Sequence, residues 1–276
     1  MSVLKKIIDF SVETSLWVAL SVLSFLNISN SIFLIKDNIF LKGFVFCSVV
    51  LGYNFIRYYS NSIFKKAPNF TLVFKMLKNL NNKCKSLFFL NIICFAISFY
   101  CFMMLKTQTK IFLILPFLST LFYTVSPGEK TLRNIEGLKI YVVGFTWAIV
   151  TVALPVIEFC LPLTEEVYVV FVQRFLITII LILPFEIRDL KEDNKQLKTV
   201  PQKIGVLNTK YYGLFLILIF SVLDFYRLSS ISLITVVIAV LLAILLLFSN
   251  EKQSKYYASF VVEGLPIFWY TILFFV

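Results

Sequence analysis

The chain has 276 residues, 59% of them hydrophobic and 15% charged, with a mean hydropathy of +0.90; a soluble domain carries about 25% charged residues, so a water-soluble globule is excluded. Its 26 Lys and Arg against 15 Asp and Glu would suggest nucleic acid in a soluble protein, but in a membrane protein basic residues gather in cytoplasmic loops, and nucleic acid is not an expected partner. The chain has no histidine, which removes Ser-His-Asp, Cys-His and HExxH chemistry.

Lys5 and Lys6 precede an apolar run with no small-residue cleavage site, so the amino-terminal segment is read as retained and leading into a first span. A crossing helix takes about 20 apolar residues, and apolar runs bounded by charges or Pro and Gly predict nine spans. They lie near residues 14–35, 41–58, 87–105, 111–127, 140–161, 167–186, 211–226, 230–249 and 257–275. The fourth is short, and the last carries Glu263, Gly264 and Pro266. One all-α, polytopic membrane domain over 1–276 is expected. Placing the amino terminus in the cytoplasm puts 20 basic residues inside and five outside, the asymmetry expected of cytoplasmic loops. An integral protein of a bacterial inner membrane is the expected location, with long cytoplasmic loops at 59–86 and 187–210 where polar chemistry would find a platform.

Five cysteines (Cys47, Cys84, Cys94, Cys101, Cys160) form no CxxC pair and are expected to be reduced and structural. Arg174, Glu13 and Glu263 sit in or beside spans, where a charge is expensive in lipid. Either Arg174 pairs with Glu263 or another acid, or it faces a cavity. Asp224 and Arg227, three residues apart, are expected to form a local ion pair at the outer rim.

The stretch from Phe185 to Gly205, FEIRDLKEDNKQLKTVPQKIG, carries the chemistry. Glu186, Asp189 and Asp193 fall at i, i+3 and i+7, which places three carboxylates on one helical stripe. Clustered carboxylate oxygens suit Mg²⁺, which keeps several waters and is commonly completed by phosphate oxygens. Arg188, Lys191, Lys195 and Lys198 are interleaved and could neutralise a diphosphate. The same spacing also suits a solvated, salt-bridged helix at a membrane surface, and spacing alone leaves both readings open.

This stretch, with Thr199, Val200, Pro201 and Gly205 as its tail, resembles the second aspartate-rich motif of the UbiA superfamily of intramembrane prenyltransferases. A second patch is similar to the segment between that family's fourth and fifth helices: Tyr123 to Pro127, then Lys130, Leu132, Arg133, Gly137, Leu138, Lys139 and Trp147. Nine spans with a cytoplasmic amino terminus is also the family's topology. The resemblance implies a helical bundle with a central cavity and transfer of a prenyl group from a polyprenyl diphosphate to an acceptor in the bilayer. Asp189 and Asp193 would be catalytic and, with Glu186, would hold Mg²⁺. Arg57, Lys130, Arg133 and Lys198 would bind the diphosphate of the isoprenoid, and Asn54, Tyr58 and Tyr123 would line the cavity. Aromatic side chains, 31 Phe and 13 Tyr among them, could house the isoprenoid tail and face a developing carbocation.

The family's first motif, N-D-x-x-D-x-x-x-D, should begin at Asn54. The asparagine is present, but Phe55, Tyr58 and Ser62 stand where the aspartates belong, and the 91 residues between Asp37 and Glu129 contain no Asp or Glu. Three outcomes stay open: one Mg²⁺ on the second cluster with Arg57, Lys65 or Lys66 supplying the missing charge; binding of a lipid or isoprenoid diphosphate without turnover; or a fold that kept its shape and lost its site.

Overall fold

The computed structural model describes residues 3–60, 82–124, 137–192 and 197–275, and every described element is helical. The elements are α1 (Val3–Glu13), α2 (Leu16–Ile32), α3 (Ile39–Ser60), α4 (Asn82–Met104), α5 (Thr107–Phe112), α6 (Ile114–Thr124), α7 (Lys139–Ala148), α8 (Leu154–Glu158), α9 (Glu165–Asp189), α10 (Val200–Leu228), α11 (Leu233–Leu247) and α12 (Leu265–Ile272). Two π-helical turns, Ile149–Ala153 and Tyr257–Val262, interrupt the ladder.

Among the described residues, five helical stretches are long and apolar enough to cross a bilayer alone: Ile39–Arg57, Ser86–Met104, Lys139–Glu158, Glu165–Asp189 and Val200–Leu228. The predicted first span is α2, which meets α1 at a 74° bend. The predicted spans at 111–127, 230–249 and 257–275 are built of shorter helices, the first split at Leu113 into α5 and α6. The chain is an integral membrane protein, and its outward faces carry exposed apolar side chains such as Phe89, Phe95 and Phe99 on α4 and Leu218 and Val222 on α10.

The breaks have local causes. Pro155 has no N–H to give to the carbonyl of Thr151, and the ladder widens into the π turn just before it. Pro266 stands in the first turn of α12 in the same way, after the second π turn. Helix α10 changes direction at Gly205, where φ is 79° and ψ 164°. Glycine alone adopts that conformation at little cost.

The core is organised around α9, whose Ile177, Ile179, Ile180 and Leu183 are fully buried against Phe25 of α2, Phe220 of α10 and Leu242 and Leu246 of α11. Lipid is as apolar as leucine, so this association rests on close packing rather than on removal of surface from water. Gly213 shows how tight the packing is. A Cβ there would stand 2.3 Å from Leu246 Cδ2 and 2.9 Å from Leu183 Cδ1.

Candidate functional site

The carboxyl-terminal end of α9 turns its two described acids to different neighbours. Glu186 is buried, and its Oε2 accepts a hydrogen bond from the Val200 N–H at 3.1 Å, which caps the first turn of α10. The adjoining Thr199 N–H donates to Gln202 Oε1 at 3.0 Å. Asp189 is gripped by its neighbour: Arg188 Nε donates to Oδ1 at 2.6 Å and Nη2 to Oδ2 at 3.0 Å. The same guanidinium donates from Nη1 to Ser259 Oγ at 3.1 Å, on the second π turn. Gln253 Nε2 donates to the Pro184 carbonyl at 2.7 Å and Lys191 pairs with Glu251 at 2.9 Å, so the segment before that turn is laced onto the end of α9.

Two segments singled out in the sequence meet here. The Gly137 N–H donates to the Leu197 carbonyl at 3.0 Å, and Lys203 Nζ lies 3.2 Å from where a Cβ on Gly137 would stand. Lys198, exposed and in the left-handed region at φ 43°, adjoins this contact. The start of α7 is thereby held against the loop that follows the acidic stretch.

Helix α3 faces the same region. Tyr53 accepts a hydrogen bond on its hydroxyl from Trp147 Nε1 at 3.1 Å. One turn later, Arg57 donates from Nη1 to the carbonyls of Glu13 and, at 3.3 Å, Val12, at the end of α1. Tyr53 and Glu263 are both half-buried. Glu263 feels the charges of Arg57 and Arg188, and Tyr53 feels Glu263 and Tyr123. Tyr123 is buried on α6. The side chains gathered here come from α3, α6, α7, the end of α9 and the break before α12.

Asn54 is placed differently from the expected cavity wall. It is 1% exposed and occupied with the α1–α2 bend: Ser15 Oγ donates to its Oδ1 at 2.9 Å, and its Nδ2 donates to the Thr14 carbonyl at 3.2 Å and to Asn91 Oδ1 at 2.9 Å. Lys130, Arg133 and Asp193 lie outside the described residues, as does the side chain of Tyr58. Among the described residues no three acid or cysteine side chains gather as a metal-binding set. Tyr53 was not singled out by sequence reasoning, and Glu263 was noted only as an expensive charge. The acid beside Gly264 and Pro266 in an apolar run was the signal: a carboxylate at a break in a span has a cavity or a partner to face.

The expected pairing of Arg174 with Glu263 or another acid is not found. No carboxylate pairs with it among the described residues; it donates to Ser29 Oγ at 3.1 Å and lies over the Phe25 ring at 3.9 Å. The expected pair of Asp224 and Arg227 is present at 2.9 Å.

No family model matches the sequence, and no curated protein does. Among solved structures, the chain is similar to the apo structure of a UbiA homolog from Aeropyrum pernix K1, at a TM-score of 0.63 and 13% identity, covering 94% of this chain and 98% of that one. It is also similar to a structure of digeranylgeranylglyceryl phosphate synthase, at a TM-score of 0.56 and 13% identity, with 97% of each chain covered. At that identity the likeness is one of backbone course, and it runs from end to end. The chain has the fold of the UbiA-type membrane prenyltransferases.

Proposed function

We propose that the chain binds a prenyl diphosphate beside Tyr53, Tyr123, Trp147 and Glu263 and transfers the prenyl group to an acceptor in the membrane. The observation that carries the reading is the fold shared with the UbiA-type prenyltransferases, with Arg57 from α3 and Arg188 from α9 both within electrostatic range of Glu263. In the reaction the C1–O bond of the allylic diphosphate breaks and its electron pair leaves with the diphosphate. Arg57, Arg188 and Lys198, with Lys130 and Arg133, supply the positive charge that stabilises this leaving group. Tyr53, Tyr123 and Trp147 offer ring faces to the allylic cation. The acceptor's nucleophilic atom bonds to C1 and loses its proton, for which Glu263 is the carboxylate at hand.

The resemblance assigns Mg²⁺ to Glu186, Asp189 and Asp193. The two described acids do not fit that assignment as they stand: Glu186 caps α10 through Oε2, and both Asp189 oxygens are held by Arg188. Neutralisation of the diphosphate is accordingly assigned to the cations. This arrangement, with the absence of any acid between Asp37 and Glu129, favours a second reading: isoprenoid diphosphate binding without turnover.

The test uses the purified protein in lipid nanodiscs with radiolabelled prenyl diphosphates of graded length. Saturable binding is expected, weakened about tenfold or more by Arg188→Gln, with diphosphate release in the presence of the right acceptor. Binding without release under any acceptor supports the second reading. No saturable binding by intact protein overturns both.

A further inference from the structure

A polar cavity lies along the amino-terminal half of α9. Arg174 stands 12 residues before Glu186, about 18 Å along the helix axis, and is only 3% exposed. It borders a cavity of about 140 Å³ walled by α2, α9, α10, α11 and α12. Its Nη2 donates to Ser29 Oγ at 3.1 Å, and its guanidinium lies over Phe25 at 3.9 Å and near Trp269 at 5.8 Å. Its Nε and Nη1 are buried with no hydrogen-bond partner.

The acids nearby are already engaged. Asp224 accepts from Arg227 Nη2 at 2.9 Å, from Gln173 Nε2 at 3.3 Å and from the Thr235 hydroxyl. Glu166 pairs with Arg227 at 3.3 Å on the rim. Among the described polar atoms of this cavity that lack a partner, the Nε and Nη1 of Arg174 and the Nε of Arg227, all are donors. A guanidinium cannot shed its charge, and leaving its N–H groups unpaired in an apolar bundle is costly. The cavity is thus complete in donors and short of an acceptor.

We propose that this cavity is a binding site for a carboxylate monoanion, with Arg174 as its principal ligand. The volume admits a carboxylate head with a few carbons, so a longer alkyl chain would have to extend out of it into the bilayer. The opposing Asp224 disfavours dianions such as phosphate or sulfate. The apolar remainder of the wall, Ile28, Ile177, Phe220 and Leu273 among it, suits the alkyl part of such a ligand. The carboxylate could belong to a small free acid or to a fatty acid from the bilayer, and the two share the same head chemistry.

Purified protein in detergent, delipidated and held in sulfate at constant ionic strength, is titrated with acetate and separately with oleate while the unfolding temperature is followed. A ligand that binds the native state alone raises it saturably. The expected result is a saturable rise with either ligand that is absent in Arg174→Gln and has its midpoint raised about tenfold in Arg174→Lys, which keeps charge but not the planar fork. Acetate alone points to a free acid and oleate alone to a lipid-derived one. No saturable rise with either, or the same rise in Arg174→Gln, overturns the proposal and leaves the cavity to water. Should Arg174→Gln fail to fold, Arg174→Lys against wild type carries the comparison, and an unchanged midpoint there overturns it. Prenyl diphosphate binding is measured in parallel and is expected to be unaffected, which separates this outcome from that of the proposed function.

Discussion

Glu186 illustrates how one carboxylate can be read two ways from sequence and separated by substitution. Its Oε2 caps α10 through the Val200 N–H, so Glu186→Ala is expected to cost about 1–2 kcal/mol of stability, as lost helix caps do. Glu186→Gln keeps an acceptor oxygen at that position and is expected to cost less than half as much. If the negative charge matters to prenyl diphosphate binding, both variants change affinity alike; if only the cap matters, the glutamine variant binds as wild type. Denaturation midpoints and binding isotherms on the same preparations read the two roles apart. Asn54 is the other informative residue, because the resemblance places it on the cavity wall while the structure gives its hydrogen bonds to the α1–α2 bend and to Asn91. Asn54→Leu leaves a buried Ser15 hydroxyl and the Thr14 carbonyl without their partner and is expected to destabilise by about 2–3 kcal/mol. A loss of binding with no loss of stability would contradict that placement.

The elements around the site are tied by polar contacts at their ends, and α1 is held by a titratable group outside the spans. Asp9 accepts a hydrogen bond from the Tyr256 hydroxyl at 2.5 Å and has Lys255 Nζ at 3.7 Å. The Tyr256 hydrogen bond, helped by the charges of Lys255 and Lys5, holds the Asp9 carboxyl below the usual carboxylate range. A depressed native value means the tether is fully present above the carboxyl's unfolded value, about 4, and is lost as pH falls through the lower native one. Amide exchange in α1 is therefore expected to accelerate below about pH 4, and Asp9→Asn is expected to show fast exchange at all pH values. At this scale the sequence was legible where a physical signal was strong. The predicted sixth span, 167–186, falls within α9, and the polar run that begins at Glu186 marks that helix's end, where Glu186 and Asp189 lie. The partners of those groups were not legible. Spacing put Glu186 and Asp189 on one stripe, but spacing cannot say that one acid is taken by the N–H of residue 200 and the other by the adjacent Arg188. Glu263 joins the site from some 75 residues further along, a contact that no local pattern encodes.

For the whole molecule, hydropathy made the membrane class and the helical bundle legible, because a bilayer requires every backbone group to be paired within helices. It overstated how regular the spans are, since 111–127 and 257–275 are apolar enough to read as spans while proline and glycine break the latter into short pieces. Orientation rests on the distribution of basic residues, and one cysteine reports it. Among the described cysteines, Cys47, Cys94 and Cys101 are buried and Cys160 is exposed, in the link between α8 and α9 at the end where Arg227 pairs with Glu166. With the amino terminus in the cytoplasm, that link faces outward, because α9 then enters at Glu165 and delivers Asp189 to the inner surface. A membrane-impermeant maleimide is expected to label intact cells carrying Cys84→Ser protein, and the signal is expected to vanish in Cys84→Ser/Cys160→Ser. If label enters only after the cells are opened, the chain is inverted, and the acidic end of α9 with its arginines faces outward instead of toward a cytoplasmic supply of diphosphate.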